Sequence, residues 1–520
     1  MLIAAFKPGH DGSVAVVEDG VLVESLEAEK DSFPRHSPLT PAALFDNAES
    51  LDRLPDVFAL GGWQSGKAPI GAGYHGTAAP VRHRRRFFGR QAEMFSSSHV
   101  RSHIMMAVGM APRPEPPQAQ VVLVWEGVTG AFYLLDEEFR IQRELPVLEQ
   151  PGARYAFLFA LADPTFPDEG AVPDLSDSGK LMALAAYGDA ESAGAETVRT
   201  VERILQTPTI YPAPKGAFAD SPVYNSGVRS QVAVDAAALL SDRLFDTFFR
   251  MAKEELPPGL PLRISGGCGL NCEWNARWRF DGHFSSVFVP PCTNDSGSAI
   301  GTAADAQLAA TGDPHIDWSV YSGREFVWDR DPDGARWHRR SADLRGIADA
   351  LGSGRVVAWV QGRWEIGPRA LGNRSLLAEP RDPATRDRLN RIKQREDYRP
   401  IAPCCRVEDT AAVFAHDFPD PYMLYFREFR TAEYGAVTHV DGSARVQTVG
   451  TDTNPRLHAL LSAFAERTGG PGMLCNTSLN FKGSGFINRM SDLVRYCEDH
   501  GVDDMVVGET WFHRTAPDRR

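Results

Sequence analysis

The sequence predicts an α/β protein, and three features of the chain carry that prediction. Two similar β-hairpins occur at residues 2–23 and 119–135, and each contains a polar turn with glycine. Strands, glycine-rich turns and helices alternate between residues 232 and 310. A further unit with its own helix and strands begins after residue 340. This alternation is typical of α/β cores that bind nucleotides, and the paired hairpins indicate that one α/β unit is duplicated.

The strands of both hairpins are predicted from short apolar runs that end at turn residues. The turns at residues 8–12 and 126–129 both place polar side chains beside glycine. This shared design is the reason for expecting a duplication. The predicted strands are residues 2–6, 13–17, 21–23, 119–125 and 130–135.

Helices are predicted where apolar residues recur every three or four positions. The clearest apolar stripe belongs to residues 232–255 and consists of Ala236, Leu240, Leu244, Phe248 and Met251. Other helices are predicted at 95–110, 178–187, 293–310 and 344–351. Further strands are predicted at 260–265, 287–289 and 356–360, with a final strand and loop region around 473–486.

Chain length and a break in periodicity predict the domain organisation. At about 150 residues per domain, a chain of 520 residues holds two or three cores. Residues 311–343 contain Gly-Asp-Pro and Asp-Pro-Asp-Gly sequences and keep neither a helical nor a strand period. The predicted domains are therefore residues 1–330 and residues 340–520.

The composition excludes several classes of protein. The chain is 43% hydrophobic and 24% charged, and its net charge of −13 disfavours a general nucleic-acid binder. We expect no export signal and no membrane span, because the apolar runs are short or interrupted. Seven cysteines are sparse and odd in number, which is typical of free thiols in a reducing compartment. The predicted location is cytoplasmic.

Two histidines with helical spacing indicate a candidate metal site. His99 and His103 lie four positions apart, so on a helix their imidazoles project from one face. Glu126 and Asp295 supply carboxylates at two other glycine turns. Such a ligand set suits a divalent first-row metal such as Fe(II), Mn or Zn. The alternative is a serine-capped helix with two ordinary polar histidines.

Three glycine turns are candidates for phosphate contact. His10 stands at the end of a predicted strand, where backbone amides can approach a phosphate and an imidazole can act as acid or base. Gly266 with Gly267, and the turn at 295–298, are weaker signals of the same kind. The alternatives are an ordinary hairpin turn at His10 and helix-capping turns at the other two places.

The C-terminal unit gathers basic and amide side chains among glycines and apolar strands. Only eight of the 55 basic residues are lysine, so a lysine inside a motif is more informative than usual. A phosphate-rich small ligand is the simplest reason to assemble such a cluster, and the alternative is a solvated basic face paired with Glu365 and Glu396. The cluster comprises Arg369, Arg374, Lys393, Arg395, Arg399, Arg445, Asn476, Ser478 and Lys482.

A second basic run, at residues 83–86, is predicted to be an exposed loop. With Arg82, it forms the densest candidate, residues 82–86, for a contact with a carboxylate on an acidic substrate, and the arginines to test are Arg84, Arg85 and Arg86. The alternative is a solvated charge run with no ligand.

In their order along the chain, these motifs resemble those of the O-carbamoyltransferases of natural-product and nodulation-factor biosynthesis. The resemblance covers nearly the whole chain, and the ordered set is far more specific than any single motif. The N-terminal third, including residues 6–10 and 29–35, is most similar to family members that act on cephems. The matching motifs are residues 9–12, His99 with His103, 178–188, 266–271, 294–297, 367–375, 399–400 and 476–478.

The resemblance implies a two-domain enzyme. Its N-terminal domain would have the actin-like ATPase fold of the tRNA threonylcarbamoyl transferases, and its C-terminal domain the YrdC-like fold. The C-terminal domain would join carbamoyl phosphate to ATP, giving carbamoyl-adenylate, and the N-terminal domain would move the carbamoyl group to a hydroxyl. The expected acceptor is the 3-hydroxymethyl group of a cephem, and the alternative acceptor is a macrolide or aminoglycoside hydroxyl.

The resemblance also implies roles for individual residues. His10 would be the acid or base of the transfer step, and Lys393 and Arg399 would be catalytic in adenylate formation. His99, His103 and Asp295 would bind Fe(II) or another divalent first-row metal. Glu126 stands where the family pattern has an aspartate, and it is counted as the fourth ligand. The carbamoyl phosphate and nucleotide site would comprise Arg369, Lys393, Arg399, Arg445, Asn476, Ser478, Gly266, Gly267 and Asn271.

Partners and competing functions complete the expectations. The expected partners are a small-molecule hydroxyl acceptor and Mg with the ATP, without nucleic acid or membrane; a homodimer is considered. Competing functions are a non-haem Fe(II) oxygenase, a tRNA threonylcarbamoyl enzyme and a nucleotide-sensing actin-like regulator. The oxygenase would leave the basic C-terminal cluster unexplained, and the net charge of −13 argues against a tRNA enzyme.

Overall fold

The computed structural model describes residues 1–43, 51–87 and 89–514 and has a mixed α/β architecture. It contains two compact units. Unit 1 consists of Met1–Ser102 together with Asp295–Arg520, and unit 2 consists of His103–Asn294. The start of the chain therefore belongs to the same unit as the C-terminal part.

The N-terminal part of unit 1 is built on a six-stranded sheet. Its strand order is β3-β2-β1-β4-β8-β7, and two further strands form a separate ribbon. The strands are β1 (Leu2–Lys7), β2 (Ser13–Glu18), β3 (Val21–Glu27), β4 (Val57–Gly61), β5 (Trp63–Ser65), β6 (Ala68–Ile70), β7 (Val81–Phe87) and β8 (Arg90–Ser97). Helix α1 (His99–Gly109) begins just after β8.

Unit 2 is built on a five-stranded sheet with the order β11-β10-β9-β12-β13. Its strands are β9 (Gln120–Trp125), β10 (Gly130–Leu135), β11 (Ile141–Pro146), β12 (Pro261–Ser265) and β13 (Ser286–Phe288). Its helices are α2 (Pro151–Ala162), α3 (Asp177–Ala185), α4 (Ala195–Gln206), α5 (Gln231–Glu255) and α6 (Cys272–Phe280). Short 3-10 helices lie at Ala190–Ser192, Lys215–Phe218 and Gly267–Leu270.

The two sheets repeat one topology. In the first, β1 is antiparallel to β2 and parallel to β4, and β4 is parallel to β8. In the second, β9 is antiparallel to β10 and parallel to β12, and β12 is parallel to β13. This repeat agrees with the predicted duplication of one α/β unit.

The C-terminal part of unit 1 contains an eight-stranded sheet with the order β14-β23-β22-β15-β16-β21-β17-β20. The helices are α7 (Ser298–Thr311), α8 (Leu344–Gly352), α9 (Pro383–Ile392), α10 (Thr410–Val413), α11 (Pro455–Thr468) and α12 (Met490–His500), with 3-10 turns at Asp295–Gly297 and Val407–Asp409. The strands are β14 (Trp337–Ser341), β15 (Val357–Val360), β16 (Arg374–Ala378), β17 (Ala402–Arg406), β18 (Phe426–Glu428), β19 (Ser443–Arg445), β20 (Gln447–Val449), β21 (Met473–Ser478), β22 (Asp504–Val507) and β23 (Thr510–Arg514).

The eight-stranded sheet buries both of its faces. Successive side chains of a strand point to opposite faces, so Val357 and Trp359 of β15 join one hydrophobic cluster and Ala358 and Val360 join the other. Helices α8 and α11 cover the first face, and helices α9 and α12 cover the second. This arrangement explains why β15 is apolar throughout rather than alternating.

Most predicted elements are confirmed, and two predictions are wrong. The predicted helix at 95–110 begins only at His99, because residues 95–97 pair with β4 as the end of β8. The basic run at 83–86 is not a loop but part of edge strand β7, paired antiparallel with β8. Among the residues that the structure describes, no helix is long and apolar enough to cross a membrane.

Candidate functional site

The turn between β1 and β2 carries His10 in a tightly fixed backbone. Gly9 has a φ of 80°, and a Cβ at this position would lie 2.2 Å from the Trp63 ring. The His10 ring packs edge-on against Trp63 with 4.9 Å between ring centroids. The side chain of His10 is 45% exposed, so its imidazole is accessible to a small molecule.

The carboxylate of Asp11 joins two imidazoles. Its Oδ2 lies 2.9 Å from His10 Nδ1, and its Oδ1 lies 2.9 Å from His36 Nδ1. Burial raises the pKa of Asp11, but the hydrogen bonds with His10 and His36 outweigh burial and lower that pKa to about 2. The hydrogen bond between His36 and Asp11 raises the pKa of His36 above its ordinary value, against the effect of burial. The sequence singled out His10 in this turn but did not reveal that Asp11 joins it to His36.

Helix α1 presents His99 to a carboxylate of unit 1. The side chain of His99 is 1% exposed, and its Nε2 lies 3.5 Å from Oδ1 of Asp295. The rings of Tyr74 and Trp63 pack against His99 at centroid distances of 4.3 and 5.2 Å. The other carboxylate oxygen of Asp295 lies 2.9 Å from Nζ of Lys7.

One turn further along α1, His103 meets a carboxylate of unit 2. Its Nδ1 lies 2.9 Å from Oγ of Ser265, at the end of β12. Its Nε2 lies 3.7 Å from Oε2 of Glu126, the residue that follows β9. The hydroxyl of Ser265 thus orients the imidazole so that Nε2 faces the carboxylate, as second partners of metal-binding histidines commonly do.

These two histidine–carboxylate pairs have the donor chemistry of a metal site. All four side chains are buried, and the ligand atoms of each pair lie within 4.8 Å of one another. Imidazole nitrogen with carboxylate oxygen suits a divalent first-row metal. The residues predicted as ligands therefore fit such an ion in type, burial and spacing within each pair.

Lys7 belongs to this site but was missed from sequence. It is fully buried, its Nζ donates to the backbone oxygen of His10, and it stands over the Trp63 ring at 4.1 Å. Its ion pair with Asp295 places a positive charge beside the candidate metal ligands. The rarity of lysine in this chain was the signal that could have identified it.

Lys393 is the centre of the basic cluster in the C-terminal part of unit 1. It follows α9, and its Nζ donates to the backbone oxygens of Ser478 at 2.5 Å and of Asn480 at 3.2 Å, and also to Oδ1 of Asn480. Burial lowers the pKa of Lys393 well below its ordinary value, and the positive charges of Arg395, Arg35 and Arg399 add to that effect.

Several predicted members of the cluster surround Lys393. Burial lowers the pKa of Arg395 to about 9, with further contributions from the charges of Arg399 and Arg445. The guanidinium of Arg399 makes a long contact of 3.7 Å with the carboxylate of Glu396. The cluster is therefore dominated by positive charge. Arg35, which comes from the N-terminal segment, was missed because only the folded chain places it near Lys393.

The amide and hydroxyl groups of β21 line the same part of the structure. Asn476 donates through Nδ2 to Gln447 at 2.8 Å and to the backbone oxygen of Ala370 at 3.3 Å. Among the described residues, Oδ1 of Asn476 is buried and accepts no hydrogen bond. The hydroxyl of Ser478 donates to Oδ1 of Asn480 at 2.6 Å. A ligand amide or hydroxyl that approaches Asn476 would satisfy its buried oxygen.

The glycine-rich loop at 367–375 is held by buried charges that the sequence did not reveal. Oε1 of Glu365 accepts from the backbone N–H groups of Leu371 at 2.7 Å, Asn373 at 2.8 Å and Arg374 at 3.1 Å. Arg369 lies in this loop and donates to the backbone oxygen of Met423. Because one fully buried carboxylate organises three backbone groups, the loop has a defined shape.

The start of this loop is held from the N-terminal segment. Glu27 accepts from the backbone N–H of Gly367 at 2.6 Å, and Lys30 donates to the oxygen of the same residue at 2.6 Å. Both side chains are buried, and Lys30 also stands 3.7 Å from the Phe486 ring centroid. Both backbone polar groups of Gly367 are therefore hydrogen-bonded, and Arg369 lies two positions after this fixed residue.

The glycine turn at 266–271 lies in unit 2, whereas the basic cluster lies in unit 1. Gly266 has a φ of 100°, and a Cβ there would lie 2.4 Å from the backbone oxygen of Trp125, so glycine is required for packing. Asn271 caps α6 by accepting from the N–H groups of Glu273 and Trp274. For Gly266, Gly267 and Asn271, a nucleotide contact stays a prediction.

The arginines of β7 differ in whether their side chains are already engaged by other residues. Arg82 is engaged by Glu93 at 2.6 Å and by the backbone oxygen of Ala309 at 3.2 Å. Arg84, Arg85 and Arg86 are exposed on the edge strand. Their proposed contact with an acidic substrate stays a prediction, now for a strand rather than for a loop.

Two family models match the chain. The model described as "Carbamoyltransferase N-terminus" matches residues 84–304, and the model described as "Carbamoyltransferase C-terminus" matches residues 348–514. The first match includes the two histidine–carboxylate pairs, and the second includes the glycine-rich loop and Lys393.

Curated relatives match over almost the whole length. The 3'-hydroxymethylcephem-O-carbamoyltransferase of Amycolatopsis lactamdurans is 62% identical, covering 99% of this chain and 99% of the relative. The protein of the same name from Streptomyces clavuligerus is 61% identical, covering 99% and 100%. Nodulation protein U of Sinorhizobium fredii is 32% identical, covering 94% and 95%.

Solved structures show only a distant likeness. The activator of the 2-hydroxyisocaproyl-CoA dehydratase from Clostridium difficile with bound ADPNP is 13% identical and covers 60% of this chain and 97% of that chain, with a TM-score of 0.34. A ROK family glucokinase from Streptomyces griseus is 13% identical and covers 58% and 98%, with a TM-score of 0.28. At these TM-scores the likeness carries no argument about the fold.

The contact between His36 and Asp11 predicts a measurable titration. Because the carboxylate favours the imidazolium, His36 should titrate above the ordinary histidine value of about 6.5. The stabilisation that this contact gives is fully present below that ordinary value and is lost as pH rises through the raised pKa. NMR titration of histidine-labelled protein measures it, with His36→Gln to identify the signal. In Asp11→Asn the pKa of His36 should fall; an unchanged value contradicts the assignment.

Proposed function

Because this chain belongs to the carbamoyltransferase family, we propose that it transfers a carbamoyl group from carbamoyl phosphate to the 3-hydroxymethyl group of a cephem, with consumption of ATP. The observation that carries the proposal is the identity of 61–62%, over 99% of this chain, to two 3'-hydroxymethylcephem-O-carbamoyltransferases. The buried basic cluster supports a phosphorylated co-substrate, which a non-haem oxygenase would not need.

The two parts of the chain would divide the reaction between them. We assign residues 1–330 to an actin-like domain that performs the transfer, and residues 340–520 to a YrdC-like domain that forms carbamoyl-adenylate. The repeated strand order of the first two sheets supports an internally duplicated transfer domain. The division between the two domains stays a prediction.

Adenylate formation would take place at the basic cluster. Lys393, Arg399 and Ser478 would hold carbamoyl phosphate, while Arg369 and Arg445 would hold the phosphates of ATP. Asn476 would add its amide, and Gly266, Gly267 and Asn271 remain candidates for nucleotide contact. In the balanced reaction, water releases phosphate from carbamoyl phosphate, and the resulting carbamate displaces pyrophosphate from ATP. Cationic side chains can stabilise the negative charge that develops on the leaving phosphates, and Mg would accompany the ATP.

Transfer would then take place at His10. The hydroxyl oxygen of the acceptor attacks the carbonyl carbon of carbamoyl-adenylate, and the bond from that carbon to the AMP phosphate oxygen breaks. His10 accepts the hydroxyl proton, and AMP departs with the bonding electron pair. AMP is a good leaving group, so the reaction requires no nucleophilic serine or cysteine.

The metal would be held by His99, His103 and Asp295, with Glu126 as the fourth proposed ligand. We propose Fe(II) or another divalent first-row metal. When bound, such an ion would supply positive charge near the adenylate and stabilise charge at the reacting carbonyl. Lys7 holds one oxygen of Asp295, which leaves the other oxygen facing His99.

The remaining assignments concern partners and location. A small-molecule acceptor is the expected partner, and neither nucleic acid nor membrane is needed for the proposed reaction. A cytoplasmic location agrees with the seven free cysteines, since disulfides are rare in reducing compartments. A homodimer stays a prediction.

The function is tested by product mass. Purified protein with ATP, carbamoyl phosphate and a 3-hydroxymethyl cephem should yield the acceptor enlarged by one carbamoyl group, together with AMP. The matched control is the corresponding 3-methyl cephem, which has no hydroxyl at the reacting position. Macrolide and aminoglycoside alcohols provide the alternative acceptors. Product from these alcohols, but not from the cephem, would contradict the proposed substrate.

The basic cluster is tested by half-reactions. Lys393→Ala and Arg399→Ala should each lower pyrophosphate release by at least about 10-fold, because a hydrogen bond to a charged group contributes about 1.5–3 kcal/mol. The matched control is Arg391→Ala, which removes an exposed charge from the same part of the chain. Unchanged pyrophosphate release in both cluster variants, with circular dichroism like that of the parent protein, would contradict the assignment.

The metal site is tested by metal content. Protein loaded anaerobically with Fe(II) and desalted should retain about one ion per chain, measured by elemental analysis, if these ligands form a single site. His99→Gln and His103→Gln should each lose most of it, because each removes one ligand. The control is His458→Gln, a change at a histidine paired with Glu408 away from these ligands. Equal retention in all variants would contradict the site.

A further inference from the structure

We propose that Asp11 is a positioning residue for the transfer step: its carboxylate fixes the tautomer and orientation of His10, and His36 fixes that carboxylate. This inference rests on the proposed role of His10 as the group that accepts the acceptor proton. It assigns Asp11 and His36 a part in the reaction, although neither residue needs to touch the substrate.

The geometry defines which nitrogen of His10 is available. An ionised carboxylate only accepts hydrogen bonds, so the nitrogen that faces it must carry the proton. Oδ2 of Asp11 faces Nδ1 of His10 at 2.9 Å, and the lowered pKa of Asp11 agrees with an ionised carboxylate. In the neutral imidazole this contact places the proton on Nδ1, so that Nε2 of His10 carries the lone pair that can accept a proton.

Asp11 is itself held in place from both the main chain and the side chain. Its φ of 51° is in the left-handed region, which is sparsely populated by residues other than glycine. The backbone N–H of Asp11 donates to the oxygen of His36 at 3.3 Å, and that of Gly12 donates to the oxygen of Ser37 at 2.9 Å. Oδ1 lies 2.9 Å from Nδ1 of His36. The surrounding structure thus maintains an uncommon backbone conformation that aims Oδ2 at His10.

Asp295 does not perform this orienting role in the structure. Its Oδ2 lies 3.8 Å from Nδ1 of His10, beyond hydrogen-bond distance, and only 2.9 Å from Nζ of Lys7. Lys7 also donates to the backbone oxygen of His10 and so holds the main chain of that residue. In the described part of the chain, the carboxylate of Asp11 lies within hydrogen-bond distance of the His10 imidazole, and that of Asp295 does not.

The group formed by Asp11, Glu29 and His36 has another possible use, as a cation site, because its ligand atoms lie within 4.8 Å of one another. The observed contacts favour the orienting role. Glu29 already has Arg35 at 3.6 Å and accepts from the backbone N–H of His36 at 3.3 Å. A cation would have to displace an arginine and the hydrogen bond between Asp11 and His36.

The transfer step balances with these groups. The acceptor oxygen forms a bond to the carbonyl carbon, and the bond from that carbon to the adenylate phosphate oxygen breaks with its electron pair leaving on AMP. The acceptor proton moves to Nε2 of His10. The imidazolium that results carries a proton on each nitrogen, and the carboxylate of Asp11 stabilises its charge through Nδ1–H before the proton passes to solvent.

The experiment separates the two half-reactions in His10→Asn, Asp11→Asn, Asp11→Glu and the double variant His10→Asn with Asp11→Asn. Pyrophosphate release reports adenylate formation, and product mass reports transfer. Asp11→Asn should keep pyrophosphate release and the KM for the cephem within about twofold, while kcat for transfer falls about 100-fold or more, the usual contribution of acid–base catalysis.

Two comparisons distinguish orientation from a merely structural role. The double variant should be no slower than His10→Asn alone, because residues that act as one unit are not additive. Asp11→Glu keeps a carboxylate and should transfer faster than Asp11→Asn. His36→Gln should lower kcat for transfer by a smaller factor, because it loosens Asp11 without removing it.

The outcomes separate this inference from the proposed function. If His10→Asn does not slow transfer, the proposed role of His10 fails. If His10→Asn slows transfer but Asp11→Asn does not, only the inference on Asp11 is overturned. It is also overturned if Asp11→Asn loses adenylate formation, if Asp11→Glu transfers no faster than Asp11→Asn, if the double variant is slower than His10→Asn, or if Asp11→Asn loses bound metal.

Discussion

The ion pair between Glu27 and Lys30 fixes the start of the loop that carries Arg369 and Arg374 of the basic cluster. Nζ of Lys30 lies 3.7 Å from Oε2 of Glu27, and both side chains are buried. Glu27 accepts a hydrogen bond from the N–H of Gly367, and Lys30 donates one to its C=O, although Gly367 lies more than 330 positions away in the chain. Burial raises the pKa of Glu27, and the charge of Lys30 opposes that effect. Removing either partner would leave a buried charge uncompensated, which is strongly unfavourable. The N-terminal segment is thereby tied to the loop that carries Arg369.

Buried carboxylates play the same part elsewhere in the chain. Glu365 gathers three backbone N–H groups, Asp11 joins two imidazoles, and Asp295 lies between Lys7 and His99. In each case a buried acidic side chain joins groups that are separate in the chain, and charge-assisted hydrogen bonds are strong and directional. The proposed catalytic groups are carried on loops, and these carboxylates provide the rigidity that loops otherwise lack.

The sequence predicted helices and strands well, because local hydrophobic patterns determine them. It did not predict contacts between residues that are far apart in the chain. The hairpin strands and the long helix Gln231–Glu255 follow from hydrophobic period, and the spacing of His99 and His103 correctly placed both on one helix. The contacts of Lys7 with Asp295 and of Glu27 with Gly367 join residues that no periodic pattern relates. The strand at 81–87 was missed because its arginines lie on an exposed edge, where hydrophobic alternation is absent.

The difference in burial between the functional side chains agrees with the difference in their proposed work. His10 is 45% exposed, as a group that exchanges a proton with a small acceptor must be, whereas His99 and His103 are buried among aromatic and hydroxyl groups. Lys393 is also buried, yet its hydrogen-bond acceptors are uncharged oxygens, and arginines lower its pKa further. A cation destabilised in this way gains more from an incoming phosphate than an exposed one, since less water screens the new contact. On the proposed function, the cost of burying like charges together would favour the binding of an anionic co-substrate.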